Sequence, residues 1–165
     1  MKINILLEKW QHFLEEEILE AENGEVVTFD FDDTLVLGIY EDFVLKKIKI
    51  RREIVNKMKK YISKGYKVYI ITSRSFSAEK TFDKKQISIQ EFLRREKIKL
   101  DKKQIIYTNG ANKKSTLLSL NSTLHFDDDP VEWAELEDAG IPVYKVKSPN
   151  ENPQVPGTTD LDYSI

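Results

Sequence analysis

Four stretches of this chain carry residue types suited to chemistry on an anionic substrate: Asp30-Phe31-Asp32-Asp33-Thr34-Leu35, Thr72-Ser73-Arg74, Thr108-Asn109-Gly110 with Lys113-Lys114 after it, and Asp127-Asp128-Asp129. Asp30 and Asp32 are two apart, so in extended backbone their side chains point the same way. Like charges held that close raise at least one pKa unless a cation neutralises them. Asp127, arriving from a distant segment, adds a further oxygen ligand, and hard oxygen ligands without His or Cys favour Mg²⁺. A single Asp in such a place is ordinarily a turn residue or a helix cap. Capping does not require a whole set at successive strand ends, and that convergence marks a candidate site.

The elements that must position these residues alternate. Ile3, Leu6, Leu7, Trp10, Phe13 and Leu14 recur at helical spacing and predict an amphipathic first helix stopping near Gly24. Val26-Val27-Thr28-Phe29 is a short β-branched and aromatic run of the kind buried on both faces of a parallel sheet. Ile54, Met58 and Ile62 mark a second helix closed by Gly65, and Lys67 to Ile71 a second strand. A third helix, carrying Ile89, Phe92 and Leu93, is expected to begin after Asp83, whose spacing to Gln86 resembles a capping box. Ile105-Ile106-Tyr107 reads as a third strand, Leu117, Leu118 and Leu120 as a fourth helix, and Ser122 to Phe126 as a fourth strand. Asp129-Pro130 is a strong start for a further helix ending at Gly140, with Pro142 to Val146 as the fifth strand. Such alternation means an α/β, doubly wound parallel sheet with helices on both faces. Ligands of these sheets sit beyond the carboxyl ends of the strands, where all four stretches fall.

The four stretches, in this order and spacing, resemble the motifs of the haloacid dehalogenase-like (HAD) phosphatase superfamily. The likeness covers residues 25 to 147. It implies a Rossmann-like core in which Asp30 is the nucleophile and Asp32 the acid/base. Thr72 would then bind a phosphoryl oxygen, and either Lys113 or Lys114 would balance its charge. Lys113 is favoured, because it leads a helical stripe with Leu117 and Leu120. Mg²⁺ would be held by Asp30, Asp127 and the backbone carbonyl of Asp32, with Asp128 in support, and Thr34, Ser73, Arg74 and Lys114 would face the substrate. Asp33 stands where the family often has Gly. A carboxylate at Asp32 points to phosphoester hydrolysis, since ion-pumping relatives carry Thr there. Val36 to Ile50 is long enough only for a flap, and Ser75 to Gln104 for one loop and one helix, so no large cap is expected.

Gly65-Tyr66 before the second strand and Ser73-Arg74 after it further resemble phage polynucleotide 3′-phosphatases. That likeness implies a nucleotide or a nucleic-acid end as substrate, with Arg74 on the scissile phosphate or its neighbour. Another phosphorylated small molecule, or a silent phosphate-binding role, stands as the alternative. The stretch from Lys46 to Lys67 holds ten Lys/Arg and one acid, Glu53. It would track a nucleic-acid backbone, with Tyr40 or Phe43 offering a stacking surface; a solvated helix face is the plainer reading. His125 is expected to be a buried, satisfied histidine, and Trp10 and Trp133 to be core residues.

Composition narrows the classes further. The 165 residues include 26 Lys+Arg, 28 Asp+Glu, two His and no Cys, for a net charge of -2. Without cysteine there is no disulfide framework and no thiolate nucleophile or metal site, which fits a reducing compartment. Charge interrupts the first apolar run too early for a signal peptide, and no stretch approaches the roughly 20 apolar residues of a membrane span. A cytoplasmic, non-membrane protein is expected, as one domain: the first helix over 1–24, a catalytic core over 25–147 and an irregular tail over 148–165. No glycine-rich phosphate loop, zinc pattern or Ser/His/Asp arrangement is visible.

Overall fold

A computed structural model describes residues 24–41, 44–81, 87–147 and 158–161. Its centre is a sheet of five parallel strands: β1 (Val26–Phe29), β4 (Lys67–Thr72), β5 (Ile105–Tyr107), β6 (Ser122–Asp127) and β7 (Val143–Lys145). They lie in the order β5-β4-β1-β6-β7, so the chain starts in the middle and winds outward in both directions. All four residues of β1 are buried, which explains its uninterrupted Val-Val-Thr-Phe.

Successive strand residues point to opposite faces, and each face has its own helices. One face carries Val27, Phe29, Ile70, Leu124 and Phe126. Helix α1 (Arg52–Ser63) packs Ile54, Val55, Met58 and Tyr61 on it, and α3 (Ile89–Glu96) adds Ile89, Phe92 and Leu93. Phe29, Phe126 and Tyr144 form a continuous stack there, with centroids 4.4 and 4.6 Å apart. The other face carries Ile71, covered by Leu117 of α4 (Lys114–Ser119) and Leu136 of α5 (Pro130–Asp138). Thr28 and His125 belong to this second face by the same alternation, and so do Asp30 and Asp127.

Between β1 and α1 the chain forms an antiparallel hairpin, β2 (Val36–Glu41) with β3 (Val44–Arg51). This is the expected flap. Its base is no mere cover: Leu35, Val36, Ile48 and Ile50 are buried in the main core. The turn out of β1 is made with Asp33 at φ 58°, a left-handed conformation that only Gly adopts without cost.

Three expectations change. The tail is not wholly irregular, because β8 (Thr158–Leu161) adds antiparallel to β3, pairing Ile50 with Thr159 and Ile48 with Leu161. An unpaired strand edge takes such a segment through its main chain, whatever its side-chain pattern. The cap of α3 is Ser88, whose hydroxyl accepts the Glu91 N–H at 3.0 Å; it directly precedes the apolar stripe, as a cap must. The segment between β4 and α3 also holds a short helix, α2 (Phe76–Thr81), and a 3₁₀ turn at Lys102–Gln104 leads into β5. The expected first helix with Trp10, the Asp83–Gln86 box, Phe43 and the side chains of Tyr40, Lys46 and Lys47 lie outside what is described. No described helix is long and apolar enough to cross a membrane.

Candidate active site

Asp30 follows β1 and Asp127 ends β6, the neighbouring strand, so the two carboxylates emerge side by side; the Asp30 N–H donates to the Phe126 carbonyl at 2.8 Å. Lys113, just before α4, lies between them. Its Nζ donates to Asp30 Oδ1 at 2.8 Å and to Asp127 Oδ2 at 2.6 Å, and all three side chains are almost fully buried. Leu117 is buried and Leu120 packs on the same cluster, while Leu118 is 47% exposed. The helical stripe led by Lys113 therefore faces inward, and Lys114, one position on, is exposed.

Asp30, Lys113 and Asp127 line a cleft of about 280 Å³ together with Asp32, Asp33, Ser73, Asp128, Asp129 and Pro130. Among the described residues, Asp30, Asp127 and Asp128 each offer one carboxylate oxygen, and these three lie within 4.8 Å of one another. The charges interact strongly. Burial pushes Asp30 well above the usual carboxylate range, against the pull of the Lys113 ammonium. Asp127 is buried too, but the His125 bond and Lys113 hold it down to about 2. Burial raises Asp128 to about 6, with Asp127 and Asp33 adding to the rise and a hydrogen bond from Thr34 resisting it. Lys113 is raised by Asp30 and Asp127 despite its own desolvation. Three carboxylates facing one ammonium leave excess negative charge, which a cation bound by oxygen would neutralise.

Asp32 stands apart from that trio. Arg74 donates to both of its oxygens, Nε to Oδ2 and Nη2 to Oδ1, each at 2.7 Å. The guanidinium is fixed from behind: Nη1 donates to Glu79 Oε2 at 3.0 Å and to the Ile87 carbonyl at 2.8 Å, and the group lies 4.7 Å over the Phe31 ring. Arg74 is thus 9% exposed and held, while Asp32 is 47% exposed and reaches into the cleft.

Several residues expected at the substrate are not brought to the cleft. Thr34 is fully buried and donates to Asp128 Oδ1 at 3.0 Å. Thr72 is also fully buried, and its hydroxyl accepts the Arg74 N–H at 3.2 Å, so the hydroxyl that faces the cleft is that of Ser73. Arg74 serves Asp32, and Lys114 caps into the Asn112 side chain through its N–H.

Two residues expected on sequence only to be buried or in the core bond to Asp127. His125 is buried as expected, but its Nε2 lies 3.0 Å from Asp127 Oδ2; the spacing of two on one strand is the signal that could have placed it there. Trp133, half-buried rather than in the core, donates its indole N–H to the Asp127 carbonyl at 2.8 Å. Asp129 caps α5 by accepting the Val131 N–H, and its own N–H donates to Asp127 Oδ1 at 2.8 Å. No protein-family model and no curated protein matches this chain.

Proposed function

We propose that the chain is a Mg²⁺-dependent phosphomonoester hydrolase of the HAD type, working through an aspartyl phosphate on Asp30. The observation that carries this reading is the pair Asp30 and Asp127 bridged by Lys113 at the carboxyl ends of adjacent parallel strands, with Asp32 opening onto the same cleft. Oxygen donors from Asp30, Asp127 and Asp128 suit a hard cation, and the chain has no Cys to favour a soft one. When bound, Mg²⁺ would lower the repulsion between the anionic nucleophile and the phosphate.

An Asp30 carboxylate oxygen attacks phosphorus in line with the ester oxygen, and the phosphorus–oxygen bond to the leaving group breaks. Asp32, oriented by Arg74, gives a proton to the departing oxygen. The resulting Asp32 carboxylate then takes a proton from water, whose oxygen attacks the same phosphorus. Phosphate leaves, Asp30 is restored and Asp32 is again protonated. Lys113 and the Ser73 hydroxyl stabilise charge on the phosphoryl oxygens. Thr72 holds the turn that presents Ser73 and Arg74.

For the substrate class, the hairpin between β1 and α1, with no larger insertion among the described residues, favours the terminal phosphate of a larger molecule, and the basic run beginning at Lys46 supports a nucleotide or a polynucleotide end. The test is Mg²⁺-dependent release of phosphate from p-nitrophenyl phosphate by the wild-type chain, abolished by EDTA and by Asp30→Asn. Activity retained in Asp30→Asn would remove the nucleophile assignment.

A further inference from the structure

His125 is fully buried and takes no part in the chemistry above. Filling its place with an apolar side chain would avoid the cost of desolvating an imidazole, so its bonds need a reason. Its Nε2 is 3.0 Å from Asp127 Oδ2, and its Nδ1 is 2.9 Å from the Thr28 hydroxyl on β1. Thr28 Oγ1 lies 2.8 Å from Ser122 Oγ, and Ser122 Oγ is 3.1 Å from the Leu124 carbonyl oxygen.

Donor and acceptor rules order this chain. An ionised Asp127 only accepts, so the proton sits on Nε2; a neutral ring then accepts at Nδ1, and Thr28 donates to it at 2.9 Å in preference to its longer contact of 3.3 Å with the Leu124 carbonyl. Ser122 is left to donate to Thr28 Oγ1 or to the Leu124 carbonyl. The consequence falls on Asp127. Oδ2 accepts from both His125 and Lys113, whereas Oδ1 accepts the Asp129 N–H and keeps a second lone pair.

We infer that His125 is a positioning residue: with Thr28 and Ser122 it locks the Asp127 carboxylate so that Oδ2 is committed to protein donors and Oδ1 is the oxygen offered to a divalent cation. The inference rests on the cation site of the proposed function but not on the phosphatase chemistry. Lys113 could not enforce this alone, because it is shared with Asp30 and would follow either carboxylate.

The experiment uses the full chain and Mg²⁺ alone, by calorimetry, beside nitrogen-detected imidazole NMR of the metal-free protein. The spectrum should show the Nε2–H tautomer for His125. Thr28→Val keeps the shape and removes the donor to Nδ1, and should weaken Mg²⁺ binding about 10-fold, in line with the loss of other outer-sphere partners of metal ligands. Thr28→Ser should restore it, and His125→Phe should weaken it at least as much as Thr28→Val. Should His125→Phe fail to fold, the isosteric Thr28 pair still decides. A merely structural role would lower the melting temperature of Thr28→Val and leave Mg²⁺ affinity unchanged; that result, or an Nδ1–H tautomer, overturns the inference. A wild-type chain that binds no Mg²⁺ also overturns it. Mg²⁺ binding without phosphatase activity would defeat only the proposed reaction.

Discussion

Lys113 Nζ sits 2.8 Å from Asp30 and 2.6 Å from Asp127, with hardly any of the three side chains reached by solvent. Removing one partner of such a cluster leaves uncompensated buried charge, at a cost of about 3 kcal/mol or more. Lys113→Met should therefore be destabilised by about that amount in EDTA, measured by urea unfolding. Added Mg²⁺ should raise its melting temperature more than that of the wild type, since the cation would replace the missing positive charge. An equal Mg²⁺ response in both would argue against a cation among these carboxylates. Arg74 poses the complementary case. It anchors Asp32 on one side and Glu79, whose side chain is 6% exposed, on the other. Arg74→Ala should lower turnover, through loss of Asp32 orientation, and cost about 3 kcal/mol through the stranded Glu79. In Arg74→Ala/Glu79→Ala the stability should partly return while turnover stays low. Stability and turnover recovering together would mean that Arg74 acts on the fold and not on Asp32.

At the level of elements, α1 and α3 are tied across their shared face by more than apolar contact. Glu96 of α3, 7% exposed, accepts from Arg52 at 2.5 Å and from Lys59 at 3.1 Å, both on α1. Burial alone would raise the Glu96 pKa, but the two cations win and it is lowered. An acid depressed in the folded state contributes stability above its unfolded pKa, and loses it as pH falls through the folded value. Both cations are partly solvated, which limits the gain. Glu96→Gln should cost about 1 kcal/mol at neutral pH, and the difference from wild type should shrink as pH falls toward ~3. Urea unfolding at the two pH values checks this; a gap that stays constant would mean the loss comes from packing. The flap has a different support. It is a hairpin rooted in the main core through Val36, Ile48 and Ile50, and β8 closes its outer edge.

For the molecule as a whole, the net charge of -2 conceals a strongly basic run from Lys46 to Lys67 and a cleft lined with carboxylates. A phosphorylated substrate of the kind proposed would have to approach that acidic cleft, so cations along the route would matter for binding. If the run tracks a nucleic-acid backbone, an oligonucleotide with a terminal phosphate should be hydrolysed with higher kcat/KM than a mononucleotide. The combined change Lys46→Gln, Lys47→Gln and Lys49→Gln should then raise KM for the oligonucleotide and flatten its salt dependence, because fewer counterions are released. p-Nitrophenyl phosphate, which makes no backbone contacts, should be hydrolysed as before. Equal losses on both substrates would place the damage in the flap; no loss on either would make the basic run a solvated face and favour a small phosphomonoester.

The sequence by itself marked the five strands of the parallel sheet, put the acidic and basic stretches at their carboxyl ends, and favoured Lys113 over Lys114 as the lysine that turns inward. Those properties are local: hydrophobic periodicity is set within a few residues, and the stripe of Lys113, Leu117 and Leu120 can be counted off directly. Pairings between distant polar groups were not legible. Arg74 meets Asp32 across 42 positions and Thr28 meets His125 across 97, and each pairing exists because parallel strands bring the two residues side by side. Polar side chains have several possible partners each, and only proximity in three dimensions selects among them. The same reason withdrew Thr34 and Thr72 from the cleft, while Ser73, expected to face the substrate, lines it. It also let Thr158–Leu161 become a strand, since main-chain hydrogen bonds to an open edge leave no mark on side-chain pattern.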